Sequence, residues 1–230
     1  GVYLYGWERV KPAVHWLAGL GVWVSGMASG AFVVTANAWM NTPTGFTLDA
    51  EGAVLSIDPI AAMFNPNALS SVLHMLAASV ASVSFLVLGV HAWLWRRQPE
   101  NRFHRAAVSL ALVYACVGAT LMPATGHLGG ETIAHTQPAK LAAAEAHWET
   151  EPRAPFLIGG WPDEAAEVTR GAIAIPGLLS LLAHGDLDAP VTGLRDIPPA
   201  DRPPVAVVHF AFDLMIACGM VMLAVAWSGA

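Results

Sequence analysis

The sequence has few charged residues: they make up 12% of its 230 positions, about half the share usual in a soluble globular protein. Lys and Arg number 11 against 17 Asp and Glu, and no basic tract is present that could neutralise nucleic-acid phosphates. Only two cysteines occur, Cys116 and Cys218, and both fall in apolar runs, where a thiol acts as a small hydrophobic side chain. Gly-rich phosphate loops, Ser/His/Asp hydrolase motifs and Cys-x-x-Cys clusters are missing. These absences argue against nucleic-acid binding, hydrolysis and nucleotide-driven functions.

Hydrophobic residues, by contrast, make up 55% of the chain, and the mean hydropathy is +0.52. At ~1.5 Å per helical residue, four apolar runs are long enough to cross a hydrocarbon layer about 30 Å thick, the third only just. They are Ala13–Met40, Ala68–Trp95, Arg105–Met122 and Pro204–Trp227. The pattern predicts an all-α fold: a polytopic transmembrane helix bundle of about four spanning helices with a long external loop.

The charges between the runs predict the orientation in the cell membrane. Residues 96–105 hold four arginines against one carboxylate, and the chain start holds Arg9 and Lys11, so both segments should be cytoplasmic. We therefore divide the chain into three parts. Residues 1–122 hold three transmembrane helices, residues 123–203 form an external loop, and residues 204–230 hold the fourth helix.

The connection of residues 123–203 is too long for a passive turn, so we interpret it as a functional loop. Within it, residues 137–149 predict a helix with Thr136 as the N-cap and Pro138 in the first turn. This helix carries Lys140 and Glu145. An exposed amphipathic helix carries such charges without any binding role, so a solvated surface helix is the alternative at this point.

Ligand-type side chains inside a membrane span are costly and are therefore candidate functional residues. His74 lies about two turns into the second run from its outer end, and Met215 lies about three turns into the fourth run from the same side. His and Met together are a known axial pair for low-spin heme. Both types also occur in ordinary helix packing, which remains the alternative.

His209 and Asp213 are four residues apart and share one face of the fourth run, while Met215 points nearly the opposite way. An ionised Asp at the bilayer centre costs roughly 2.5–3.5 kcal/mol, so a partner or a water-filled crevice is expected. The pair predicts either a structural hydrogen bond or a role in proton handling.

The stretch Gln137–Thr150 is accompanied by shorter segments in a fixed order along the chain. These are Tyr5-Gly6-Trp7, Ala36–Pro43, Ile175-Pro176, Thr192-Gly193-Leu194 and, in the last run, Phe210-Ala211-Phe212, Met215 and Ala217-Cys218-Gly219. Together they resemble subunit I of the cytochrome bd quinol oxidases, and Gln137–Thr150 is similar to the quinol-binding loop of that family. The likeness runs from end to end of this chain but covers only the middle of a family member.

The resemblance implies roles for four residues. His74 and Met215 correspond to the ligands of the low-spin heme b that receives electrons from quinol. Lys140 and Glu145 correspond to the loop lysine and glutamate implicated in quinol binding and oxidation. The implied protein is a quinol oxidase subunit, an oxidoreductase of respiratory electron transport. Its implied partners are quinol and a second oxidase subunit in the membrane.

Two departures from the family pattern limit this expectation. The helices that bring the other heme ligands in family members have no counterpart here, so we expect that this chain alone does not reduce oxygen. Further high-spin hemes are expected only in a full-length relative. In addition, Asp213 stands where the family usually has an arginine, and a negative charge there favours the oxidised heme.

Two alternative functions are left open. The first is a diverged heme-binding electron-transfer membrane subunit without oxidase activity. The second is a proton-conducting membrane protein in which His209 and Asp213 line the path.

Overall fold

The structure is a computed structural model that describes residues 1–229, and it is mostly helical. Within these residues, eight α-helices, six short strands and two 3₁₀ turns (residues 194–196 and 199–201) follow along the chain. The helices and strands are α1 (Val2–Tyr5), α2 (Pro12–Asn41), β1 (Phe46–Leu48), β2 (Val54–Ile57), α3 (Pro59–Met63), α4 (Ala68–Arg97), α5 (Arg102–Thr136), α6 (Pro138–Ala144), β3 (Phe156–Ile158), β4 (Trp161–Asp163), β5 (Val168–Arg170), β6 (Ile173–Ile175), α7 (Leu178–His184) and α8 (Val205–Ser228).

Four of these helices, α2, α4, α5 and α8, are long and apolar enough to cross a membrane. The predicted helical membrane bundle with about four spanning helices is therefore confirmed. The predicted arginine-rich loop of residues 96–105 is mostly helical, because α4 continues to Arg97 and α5 begins at Arg102. Only residues 98–101 connect the two helices, and the four arginines lie at the helix ends. The Asn101 side chain ends the connection by capping α5, where it accepts a hydrogen bond from the Phe103 backbone N–H.

The third spanning helix does not end at Met122, where its apolar run stops. Helix α5 continues through Pro123 to Thr136, so the segment predicted as the start of a loop is helical. An interior proline removes one backbone hydrogen bond, but membrane helices tolerate this where neighbours support the backbone. The last turns of α5 are stabilised by packing, because Ala134 belongs to a buried apolar cluster with Leu141 and Leu179, and Ile133 packs against that cluster. At roughly 52 Å, α5 is longer than the hydrocarbon layer.

The described residues divide into two units, and the first is Gly1–Leu76. Its N-terminal helix α1 folds back on α2, because the His15 ring donates through Nε2 to the Tyr3 carbonyl over 2.8 Å. Strands β1 and β2 form an antiparallel hairpin after α2, and Asp58 then caps α3. Next, Asn65 donates to the Thr35 carbonyl in α2 over 3.4 Å. This contact fixes the start of α4, the helix that carries His74.

The second unit begins at Ala77 and contains the rest of α4 and everything after it. Its spanning helices approach closely at small residues: a Cβ added to Gly118 in α5 would lie 2.8 Å from the Ala81 backbone nitrogen in α4. Helices α5 and α8 pack through Ala115, Ala119 and Ala226, which are almost completely buried. Small residues of this kind let backbones approach in the absence of a hydrophobic driving force.

The segment between α6 and α8 folds into two nested hairpins and a short helix. Strand β3 pairs with β6, and the inner strands β4 and β5 pair with each other, all antiparallel. Helix α7 then packs against the end of α5 through Leu179 and Ala183. These strands are not predictable from the sequence pattern, because runs of three residues are too short to show an alternation of apolar and polar residues.

Candidate functional site

Helix α6 begins at Pro138, in the predicted first turn, but ends at Ala144 rather than at residue 149. Its N-cap is Gln137, since Thr136 belongs to α5 and its hydroxyl donates to the Thr132 carbonyl over 2.7 Å. At the other end, Ala146 adopts a left-handed φ of 46°. The His147 N–H then bonds to the Ala142 carbonyl over 2.9 Å, which is the pattern of a Schellman helix end. Glu145 therefore occupies the C-cap position.

The Glu145 side chain lies in the protein interior, with 5% of the residue exposed. Burial, and secondarily the negative charge of Asp213, raise the pKa of Glu145 to about 8. The carboxyl group is therefore mostly protonated at neutral pH and becomes a stronger base when it ionises. A proton acceptor with a pKa near the working pH is suited to general acid–base chemistry.

His209 in α8 contacts the end of α6. The imidazole is fully buried and donates through Nδ1 to the Ala144 carbonyl over 2.8 Å. Its Nε2 lies 3.5 Å from Oδ2 of Asp213, one helical turn further along α8. The structure thus places His209 and Asp213 next to each other, as their spacing predicted, but shows no hydrogen bond between them. It adds Glu145 as a third titratable group near them.

Lys140 lies near the start of α6 and is exposed. Glu145 lies five positions after Lys140, a spacing that corresponds to about 7.5 Å along the helix axis and a rotation of roughly 140° around it. Lys140 lies on the wall of an open groove of about 530 Å³, lined mainly by apolar residues. Its lining residues are Gln137, Pro138, Ala139, Lys140, Ile197, Pro203 and Val208. The helix thus presents an ammonium group at a groove and a carboxyl group in the interior.

A set of hydrogen bonds holds the chain that follows Glu145. The Trp148 indole N–H donates to the Thr169 hydroxyl over 3.0 Å, and that hydroxyl donates to the Ala146 carbonyl over 2.7 Å. Gly193 passes so close to this segment that an added Cβ would lie 2.3 Å from the Glu149 carbonyl carbon. Only glycine fits there, which gives a physical reason for the Thr192-Gly193-Leu194 motif.

An ion-pair cluster that the sequence analysis missed ties together distant parts of the loop. Arg195 pairs with both Glu149 and Glu167, and Arg202 pairs with Glu167 over 2.7 Å. Arg202 also donates to the Ile197 carbonyl, next to the groove. The paired residues of this cluster are 28 or more positions apart in the sequence. Pairs so far apart leave no periodic pattern by which the sequence could predict them.

His74 and Met215 lie in different units, and each is described on its own helix. His74 in α4 is half-buried, one turn from the small and buried Ser70. Met215 in α8 is 48% exposed, so its side chain is accessible to a ligand. An imidazole and a thioether are a donor set for six-coordinate low-spin heme, and these two residues fit that group chemically.

The fold and the site define a class of protein: a multi-pass helical membrane protein with a folded segment before its last spanning helix. All 230 residues match the family model described as cytochrome bd terminal oxidase subunit I. The chain therefore belongs to the cytochrome bd terminal oxidase subunit I family, as its sequence motifs had indicated.

Individual relatives agree with this membership. The chain is 34% identical to a Bacillus subtilis (strain 168) protein provisionally named cytochrome bd menaquinol oxidase subunit I, over 96% of this chain and 51% of that protein. It is 29% identical to the cytochrome bd-II ubiquinol oxidase subunit 1 of Escherichia coli (strain K12), over 94% and 42%. Its fold is similar to that of the bd oxidase from Geobacillus thermodenitrificans, with a TM-score of 0.88, 39% identity, and coverage of 98% of this chain and 52% of that one. The chain spans about half the length of the relatives it matches.

Proposed function

We propose that this chain forms the quinol-oxidising, electron-entry part of a cytochrome bd-type quinol oxidase subunit I. The observation that carries the proposal is the buried carboxyl of Glu145, which has a raised pKa and lies on the same short helix as the groove-lining Lys140. Family membership over the whole chain supports the same reading. In this proposal quinol docks at the loop, gives up its protons there and passes its electrons to heme b.

Glu145 is the proton acceptor in this proposal. Quinol oxidation releases two protons, and an ionised carboxylate in a dry site is a stronger base than one in water. The mostly apolar groove suits an uncharged quinone ring and its tail, while the Lys140 ammonium is the polar group available to a quinol oxygen. An ammonium group only donates hydrogen bonds, whereas a carboxylate accepts, so Lys140 is the anchor and Glu145 the base.

His74 and Met215 are proposed as the axial ligands of a low-spin heme b. When bound, the heme supplies a one-electron acceptor for quinol oxidation. His74 is held by α4, whose start is fixed to α2 through Asn65, and Met215 is held by α8, which also carries His209. The helix that presents one ligand therefore also touches the end of the quinol-loop helix.

The short connection of residues 98–101, with four arginines at the helix ends on either side of it, is proposed to face the cytoplasm. This orientation puts the segment of residues 123–203 on the outer side. Protons taken from quinol are then released outside. A second oxidase subunit is the proposed protein partner, and the remaining hemes belong to the part of a full-length relative that this chain does not cover.

Lys140→Ala is expected to weaken quinol binding in the intact protein by about tenfold, which is ~1.4 kcal/mol. The change removes one charged contact that is equally strong in the ground state and in the transition state of oxidation. KM should therefore rise while kcat stays nearly constant. Steady-state quinol oxidation measures both constants. Lys140→Arg should retain most of the affinity, and Lys11→Ala, at an exposed position before α2, is the matched control. A KM that does not change in Lys140→Ala contradicts the anchor role.

Met215→Leu is expected to turn the low-spin heme high-spin and reactive to carbon monoxide. The substitution nearly preserves volume, so packing should change by less than about 1.5 kcal/mol while the thioether ligand is lost. Visible spectra with and without carbon monoxide measure the change. Met220→Leu, an equally conservative change at another exposed position of α8, should leave the spectrum intact. Native spectra in both variants would show that Met215 is a packing residue.

A further inference from the structure

His209 is a fully buried side chain that joins α8 to the end of α6. Its Nδ1 lies 2.8 Å from the Ala144 carbonyl oxygen. Because a carbonyl oxygen can only accept, Nδ1 must carry the hydrogen and donate it. Ala144 is the residue directly before Glu145, so this hydrogen bond holds the peptide unit from which the Glu145 side chain projects.

The end of α6 requires such support for two reasons. Ala146 has a left-handed backbone, which costs a non-glycine residue about 1 kcal/mol. Glu145 carries a carboxyl group that has lost most of its contact with water. Strained turns and buried acids persist only where surrounding contacts hold them in place.

The other ring nitrogen of His209 has no hydrogen-bond partner among the described residues. It lies 3.5 Å from Asp213 Oδ2, longer than an ordinary hydrogen bond. At the start of α8 a further carboxylate, that of Glu164, accepts from the Ala206 backbone N–H over 3.2 Å. The hydrogen bond of the His209 side chain therefore goes to the end of α6. What the ring contributes to the structure is a donor at the position of Nδ1.

We propose that His209 is the positioning residue of Glu145: its Nδ1–H fixes the Ala144 carbonyl and so keeps the Glu145 carboxyl buried beside Asp213. The inference rests on the proposed function only in taking Glu145 as the acceptor of a quinol proton. Without this hydrogen bond the end of α6 opens, water reaches the carboxyl group, and its affinity for a proton falls towards that of an exposed glutamate.

Two matched variants separate the donor from the rest of the ring. Asn places an amide nitrogen on Cγ, where His carries Nδ1, whereas Gln moves the amide one bond further, towards the place of Nε2. Both variants are uncharged at every pH. Infrared difference titration of the intact protein follows the Glu145 carboxyl without quinol or turnover, and Glu145→Gln identifies its band.

His209→Asn is expected to titrate like the wild type. In His209→Gln the Glu145 midpoint should fall by about one pH unit, a tenfold change in ionisation. Wild-type midpoints in both variants, or an equal fall in both, would overturn the proposal. If His209→Gln does not assemble, His209→Asn decides alone, since a retained midpoint supports the proposal and a lowered one overturns it.

The proposed function is tested separately by the kinetics of Glu145→Gln. If that variant oxidises quinol at the wild-type rate, the proposed function fails. The infrared titration still decides whether His209 positions Glu145.

Discussion

Glu145→Gln is expected to slow quinol oxidation by the intact protein by about 10²–10⁴-fold, the range that a positioned acid–base group contributes. Gln keeps the size of the side chain but cannot accept a proton. Because burial and the charge of Asp213 raise the pKa of Glu145 to about 8, its ionised fraction increases tenfold per pH unit below that value. The wild-type rate should therefore increase with pH and level off above about 8, and the variant should lack this inflection.

Initial rates of quinol oxidation across this pH range measure the effect. Glu149→Gln is the matched control, since it makes the same change at an exposed carboxylate of the same loop. Its ion pair with Arg195 lies at the surface and contributes about 0–1 kcal/mol, so the control should keep the wild-type rate. A Glu145→Gln variant with the wild-type rate and pH profile would show that Glu145 is not the proton acceptor.

His74→Ala is expected to abolish the low-spin heme b spectrum of the intact protein. The substitution removes the imidazole ligand, and alanine offers the iron no donor atom, so six-coordination with Met215 is lost. Reduced-minus-oxidised visible spectra of purified protein, normalised to protein amount, measure the loss.

His91→Ala is the control for His74→Ala, because it lies near the other end of the same helix and bonds to His104 over 2.9 Å between Nδ1 atoms. It should retain the spectrum. A His74→Ala protein with an unchanged low-spin spectrum contradicts the assignment of His74 as a heme ligand.

Composition and run length were sufficient to predict all four spanning helices and, for three of them, the ends as well. The predicted ends of α2, α4 and α8 lie within one or two residues of those observed, because apolar runs bounded by polar residues mark these helices. Helix α5 differs because its last turns are stabilised by tertiary contacts of Ile133 and Ala134. A residue-by-residue hydropathy pattern contains no information about such contacts.

The residues of the candidate site could be predicted from the sequence, but the burial of Glu145 could not. The sequence indicated Lys140 and Glu145 on one helix, with an exposed surface helix as the alternative. Burial of Glu145 depends on the end of α6 at the strained Ala146 and on the approach of His209 from α8. Neither a glycine nor an asparagine marks that helix end, and Glu145 and His209 are 64 positions apart in the sequence.

The departure at Asp213 changes the electrostatics of the site relative to the expected family pattern. An arginine at this position would lower the pKa of a neighbouring carboxyl group, whereas the charge of Asp213 acts in the opposite direction on Glu145. The acid near the α6 end is thus adapted to hold a proton at neutral pH. This is consistent with a base that ionises only near the pH at which it works.

The most direct test of the electron-entry function is stopped-flow reduction of heme b in the intact protein, followed by absorbance after mixing with a soluble quinol. The account predicts rapid reduction in the wild type and slow reduction in Glu145→Gln, with equal rates in both when a small chemical reductant replaces quinol. This result would separate proton acceptance at the loop from the integrity of the heme site. Equal rates with quinol in the wild type and in Glu145→Gln would contradict the account.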